Sequence, residues 1–145
     1  MNVEQSILEK ARTWAESETF DHKTRNEIKE LIDNNQEEEI NDRFYKELEF
    51  GTGGMRGIMG AGTFRVNVYN IRKASQALAL YLQSIHKDKR IKIAISYDSR
   101  TNSDAFAKCA AEIFAYNGIE SLITKQMRPV PMLSFMVRHF NCQAG

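Results

Sequence analysis

The chain is poor in the residues that staple, punctuate or anchor a protein. Two cysteines in 145 residues, Cys109 and Cys142, make no disulfide framework, and neither sits in a Cys-x-x-Cys or Cys/His pattern that would hold zinc. Reduced thiols and a cytoplasmic location are the expectation. No window approaches the ~18 uninterrupted apolar residues of a membrane span, and Met1-Asn2-Val3-Glu4-Gln5 lacks the basic start and apolar run of a secretory leader. Lys+Arg 20 against Asp+Glu 19 leaves a formal charge of +1, so there is no broad basic field for nucleic acid or an anionic membrane. Any anion has to be bound locally.

Glycine is scarce but concentrated. Six of the 8 glycines fall in the twelve residues Gly51 to Gly62, with Arg56 among them. Glycines admit φ > 0 and let a ligand approach main-chain N–H groups, while a guanidinium offers a fixed fork of donors to a phosphate. The stretch therefore reads as a backbone that closes on an anion, with Thr52, Gly53 and Arg56 as candidate phosphate-binding residues. It is neither a P-loop, lacking Gly-Lys-Ser/Thr, nor a Gly-x-Gly-x-x-Gly fingerprint. A tight connection between strands is the plain alternative, and it leaves Thr52 and Arg56 without a role.

Around this loop the periodicity predicts helices and strands in alternation. Ile7, Ala11 and Trp14 write one helical stripe with Asn2 as N-cap, and Thr24 and Glu27 have capping-box spacing before a second helix that Asp33-Asn34-Asn35 ends. Residues 36–39 read as an acidic, solvated segment, and 44–50 suit a strand or a short helix equally. A short strand is expected over Thr63–Val68, then a helix from about Tyr69 to His86 with Ala74, Leu78, Tyr81 and Ile85 on one face. Ile91–Ser96 is β-branched and runs into the polar loop Tyr97-Asp98-Ser99-Arg100, of the kind found past the carboxyl ends of α/β strands.

Asn102 or Ser103 is expected to cap the next helix, with Phe106, Cys109, Ala110 and Ile113 facing inward and Asn117-Gly118 closing it. A strand over Ile119–Thr124 and, after Pro129 and Pro131, a helix over Met132–Phe140 complete the pattern. The fold class is α/β: a three-layer α/β/α domain (41–145) with a mixed, largely parallel sheet, preceded by an N-terminal helical arm (1–40).

Asp98 ends a strand as a phosphoacceptor would. The sequence offers no Asp-x-Asp, since Arg100 stands at the second position, so a charge-assisted bond between Asp98 and Arg100 competes with that reading, and Arg100 can still face a ligand. A receiver-like domain phosphorylated at Asp98 would need an acidic pocket. His22, His86 and His139 are far apart and show no metal spacing, Cys109 reads as a core thiol, and no serine lies in a nucleophile elbow.

Phe50-Gly51-Thr52-Gly53-Gly54-Met55-Arg56-Gly57, Tyr97-Asp98-Ser99-Arg100, Arg128-Pro129-Val130-Pro131 and Ser134-Phe135-Met136-Val137-Arg138-His139 resemble, in order and spacing, the first domain of the α-D-phosphohexomutases of the phosphoglucomutase/phosphomannomutase branch. The similarity runs from about Trp14 to the last residue. It implies a four-domain enzyme that interconverts hexose 1-phosphate and hexose 6-phosphate through a phosphoserine and a bisphosphorylated sugar. Thr52 and Arg56 would lie beside the reacting phosphate and Arg100 on the same cleft wall; Val130 replaces the usual threonine of Pro-Thr-Pro.

The family's Thr-Ala-Ser-His-Asn-Pro loop does not occur, so the resemblance places the phosphoserine beyond Gly145 and implies that the 145 residues alone are inactive. Mg2+ and its ligands, and the loop that reads the sugar, would likewise lie in further domains, with glucose 1,6-bisphosphate as activator and intermediate. The implied partners are a phosphorylated sugar and the remaining domains of the same chain, with neither nucleic acid nor membrane. The competing reading is a free-standing α/β module that binds a phosphorylated metabolite or a protein partner without catalysis.

Overall fold

The computed structural model describes residues 3–51, 54–87 and 89–145. The chain forms two compact units, Met1–Asn70 and Ile71–Gly145. The expected N-cap Asn2 lies outside the described residues.

In the first unit three helices, α1 (Val3–Glu16), α2 (His22–Asp33) and α3 (Glu37–Phe44), bury Ile7, Ala11 and Trp14 of α1 against Ile28, Ile40 and Phe44. Trp14 organises this core. Its ring stacks on Phe20 at 4.2 Å and meets Phe44 and Tyr69 edge-on at 5.8 and 5.5 Å. Ile28 and Phe44 are fully buried.

The cap of α2 differs from expectation. Asp21, not Thr24, is the N-cap: its Oδ1 accepts from the Thr24 amide at 2.9 Å while Thr24 Oγ1 donates to Oδ2 at 2.8 Å. The Tyr69 hydroxyl also donates to Asp21 Oδ2 at 2.6 Å, and this bond leads the set that holds the carboxyl at about 2, below its ordinary 3.8. A carboxyl depressed on folding contributes stability that is whole above about pH 4 and is lost as pH falls through 2. Acid titration of the wild type should therefore show a loss of helix stability between those limits, and Tyr69→Phe should flatten that part of the pH–stability curve.

In the acidic stretch after α2, Gln36, Glu37 and Glu38 are exposed as expected while Glu39 is half-buried against Arg43 and Arg65, and the stretch is helical: Glu37, Glu38 and Glu39 form the first turn of α3, where unpaired N–H groups favour carboxylates. Beyond Phe44 neither the strand nor the short helix forms over 44–50. Nor does a strand form over Thr63–Val68; Val66 makes only an isolated bridge to Met59. Side chains take the backbone groups that a ladder would use. Thr63 Oγ1 donates to Lys46 O at 2.8 Å, and Asn70 Nδ2 donates to the carbonyls of Gly62, Thr63 and Arg65 at 2.7 to 3.1 Å.

Helix α4 (Val68–Ile85) leads into the second unit. Its buried residues there are Ser75, Ala79 and Leu82, whereas Tyr81 and Ile85 of the expected face are 61% and 53% exposed. Two apolar stripes run along this leucine-rich helix, and the one with the small Ala79 is packed. β1 (Lys92–Ile95) and β2 (Glu120–Ile123) pair in parallel, Lys92 opposite Glu120 and Ile95 opposite Ile123, joined through α5 (Ser103–Tyr116).

Ala144 forms a parallel bridge to Ile93, accepting from the Ala94 amide at 3.0 Å. Ile91, Ile93, Phe114 and Ile119 pack with Ala79 and Leu82 as the core, and α6 (Val130–His139) buries Met136. α5 buries Ala107, Cys109 and Phe114, a face shifted slightly from the expected one. Its N-cap is Asn102, in the left-handed region at φ 62° with no side-chain cap, while Ser103 Oγ instead accepts from the Asp98 amide at 3.3 Å. Asn117 and Gly118, at φ +70°, close α5 as expected. Parallel strands joined by a helix make the fold α/β, and no described helix is long and apolar enough to cross a membrane.

Candidate functional site

The glycine-rich stretch divides into two parts with different work. Gly51 and Gly54 exchange backbone hydrogen bonds in both directions, each at 3.1 Å, with Gly54 at φ +99°. Thr52 and Gly53, both candidate phosphate-binding residues, lie outside the described residues. Arg56 follows this closure. It is exposed and makes no hydrogen bond or ion pair among the described residues.

The second part, Gly60 to Gly62, is not free to close on a ligand. It is packed around the C-terminal end of α3, and a Cβ on Gly62 would stand 2.8 Å from the Arg43 carbonyl oxygen. Arg43 Nη1 donates to Glu27 Oε1 and to the Ala61 carbonyl, and Nε donates to Glu39 Oε1 at 2.7 Å. Burial opposes the charge on Arg43, but its bonds to Glu27 and Glu39 outweigh that and raise its basicity.

Arg65, 3% exposed, donates through Nη2 to Asp42 Oδ2 at 2.6 Å and through Nη1 to the Asp42 carbonyl at 3.1 Å. Asn67 Nδ2 donates to the carbonyls of Gly60 and Gly62, both at 2.9 Å. Sequence reasoning misses this buried network, because its partners stand up to 23 residues apart with no periodic signal. Of three arginines around the loop, two are thus held internally and Arg56 is turned outward.

Arg100 belongs to the second unit, in the loop that leaves β1. Its Nε donates to Asp98 Oδ2 at 2.8 Å and Oδ1 at 3.1 Å, and that bond is the first cause that holds the Asp98 carboxyl below its ordinary pKa. The competing reading of these residues, a charge-assisted pair, is what the structure contains, although it lies within one loop. The pair engages Nε, and the side chain is 84% exposed. The acidic pocket that a phosphoacceptor Asp98 would need is not found, for no cluster of three or more His, Cys, Asp or Glu suited to a metal occurs among the described residues.

His22 begins α2 and His139 ends α6, where it stacks on Phe135 at 5.0 Å; both are helix-end residues as expected. Cys109 is buried, and neither cysteine forms a disulfide. Lys125 and Arg128, just past β2, are cations that receive no role from the sequence, although Arg128 opens one of the quoted motifs.

In the first unit an outward arginine follows a glycine turn, and in the second a polar loop leaves a parallel strand. The model of the phosphoglucomutase/phosphomannomutase family, α/β/α domain I, matches residues 47–145. The chain belongs to that family.

Among its relatives are a phosphoglucomutase of Staphylococcus saprophyticus, 37% identical over 118 residues that make up 81% of this chain and 21% of the relative, and a human phosphopentomutase, 34% identical over 125 residues, 81% of this chain and 20% of the relative. A probable phosphoribomutase of Schizosaccharomyces pombe is 30% identical over 126 residues, 86% of this chain and 22% of the relative. The chain thus spans about a fifth of the length of these relatives. No solved structure matches it significantly.

Proposed function

We propose that this chain is the first domain of a phosphohexomutase that interconverts hexose 1-phosphate and hexose 6-phosphate through a phosphoserine enzyme and a bisphosphorylated sugar. The observation that supports it most is Arg56, exposed and without an internal partner among the described residues, next to a glycine turn inside the family match. Phosphoryl transfer needs positioned donors that stabilise charge on the equatorial oxygens more than it needs covalent chemistry from the protein. A turn of glycines lets main-chain amides approach the group, and the guanidinium adds the charge. Thr52, Gly53, Arg56 and Arg100 are the residues assigned to phosphate binding, in a cytoplasmic enzyme whose helical arm is 1–40 and whose catalytic domain I begins at 41.

The described residues do not fit Mg2+, having no cluster of suitable ligands, so no step is assigned to the ion here. Its ligands, the catalytic serine and the sugar-reading loop are assigned to sequence outside these 145 residues, with the remaining domains as partners. A pentose phosphate is the second reading of the substrate, favoured by the relative named phosphopentomutase.

The test is an assay of the full-length protein with glucose 1-phosphate and catalytic glucose 1,6-bisphosphate. Glucose 6-phosphate should form with the full-length protein and not with the 145-residue chain alone. Absence of turnover with both hexose and pentose 1-phosphates would reject the mutase reading, and turnover by the 145-residue chain would reject the assignment of the nucleophile elsewhere.

A further inference from the structure

In the second unit, the loops that leave β1 and β2 enclose a crevice of about 510 Å³ beyond the carboxyl ends of the two strands. Open parallel sheets bind ligands at this end, because the loops there diverge while the strands behind them stay paired. Two hydrogen bonds tie the walls together: the Arg128 amide donates to Tyr97 O at 3.0 Å, and the Tyr97 hydroxyl donates to Lys125 O at 3.2 Å. Three cations, Arg100, Lys125 and Arg128, line the crevice with two carboxylates, Asp98 and Asp104. Asp98 is already engaged by Arg100 within its own loop. Lys125 and Arg128 therefore face one remaining carboxylate, Asp104.

Among the described residues the Arg128 guanidinium is oriented by neutral acceptors alone, Nη1 donating to Met127 O at 3.2 Å and to Gln126 Oε1 at 3.4 Å, so no anion there neutralises it. Immediately behind these walls, Ser96 Oγ and Thr124 Oγ1 are buried hydroxyl oxygens with no partner among the described residues. They follow the last paired residues of the two strands, Ile95 and Ile123, so that end of the sheet holds donor capacity that the fold does not use.

We propose that this crevice is a phosphate-binding site in its own right, with Lys125 and Arg128 supplying the charge and the Asp98–Arg100 pair forming the opposite wall. A phosphate group suits it because a guanidinium binds it through paired donors while an ammonium adds a point charge. The inference shares Arg100 with the mutase reading but rests on Lys125 and Arg128, which that reading does not use, and it is read by binding within one unit, without turnover.

The test is a titration of the 145-residue chain with inorganic phosphate at constant ionic strength, followed through backbone amide resonances. Saturable shifts should appear at residues 97–100 and 125–128. Lys125→Ala/Arg128→Ala should weaken the dissociation constant about tenfold or more, the equivalent of ~1.4 kcal/mol. Lys29→Ala/Lys108→Ala, which removes the same charge from exposed helix positions, should leave it unchanged. Shifts that never saturate, or an equal weakening in both double variants, would overturn the site and show only a diffuse charge effect. Saturable shifts confined to residues 51–57 would also overturn it, while leaving the mutase reading in place.

Discussion

Gly62→Ala should destabilise the first unit by about 3 kcal/mol or more, against a few tenths for a change at an ordinary surface position. Two costs add. The backbone at Gly62 has φ +133°, which side-chain-bearing residues rarely adopt, and the new Cβ would lie 2.8 Å from Arg43 O and 2.9 Å from Arg43 Cβ. Neither neighbour can swing aside, because both belong to the last turn of α3, whose Phe44 is fully buried against the Trp14 cluster. Any retreat of Gly62 also stretches its carbonyl away from Asn67 Nδ2 and Asn70 Nδ2, now 2.9 and 3.1 Å away.

Gly54→Ala is the matched comparison, since Gly54 has φ +99° and a methyl group added there would meet nothing within 4 Å, so it carries the conformational cost without the clash. Urea unfolding followed by the fluorescence of Trp14, the single tryptophan, reports on this unit directly. Gly62→Ala should unfold at clearly lower urea than Gly54→Ala; equal midpoints would mean that the packing of Gly62 on α3 is not what holds the loop.

The parts of the fold that can be read in the sequence are those written in local repeats. Ile7, Ala11 and Trp14 announce α1 by their spacing, and Ile91, Ile93 and Ile95 announce β1 as a β-branched run; both elements form where the pattern predicts them. The stretch from Phe44 to Asn70 is opaque for an equally physical reason. Its shape depends on Thr63, Arg65, Asn67 and Asn70 bonding to carbonyls and carboxylates, several of them far along the chain, and such bonds leave no period to detect. α4 is legible as a helix, yet its buried face is not, because two apolar stripes compete and only tertiary packing chooses between them.

The candidate site shows the same division. Arg56 stands out because glycines remove most other side chains around it, and the polar loop after β1 stands out because strand and loop composition change abruptly at Tyr97. Reading all of Gly51 to Gly62 as an anion loop is too broad, since Gly60 and Gly62 serve the packing of Arg43 and Arg65. Lys125 and Arg128 escape notice in the sequence because cations in an irregular segment look like ordinary surface until the crevice between two strand ends is seen.

The central claim, that Arg56 stabilises the phosphoryl group in flight, meets its most direct test in the turnover of Arg56→Ala in the full-length enzyme. Removing one charge-assisted donor from a dry phosphoryl-transfer site costs about 2 to 4 kcal/mol of transition-state stabilisation, or roughly a 30- to 900-fold loss of kcat. Folding should be untouched, because the exposed side chain has no internal partner to lose among the described residues. Arg56→Lys should recover only part of the loss, since an ammonium keeps the charge but not the fork of donors. The account predicts that kcat with glucose 1-phosphate falls at least about 30-fold in Arg56→Ala with an unchanged melting curve; turnover within about twofold of wild type would contradict it.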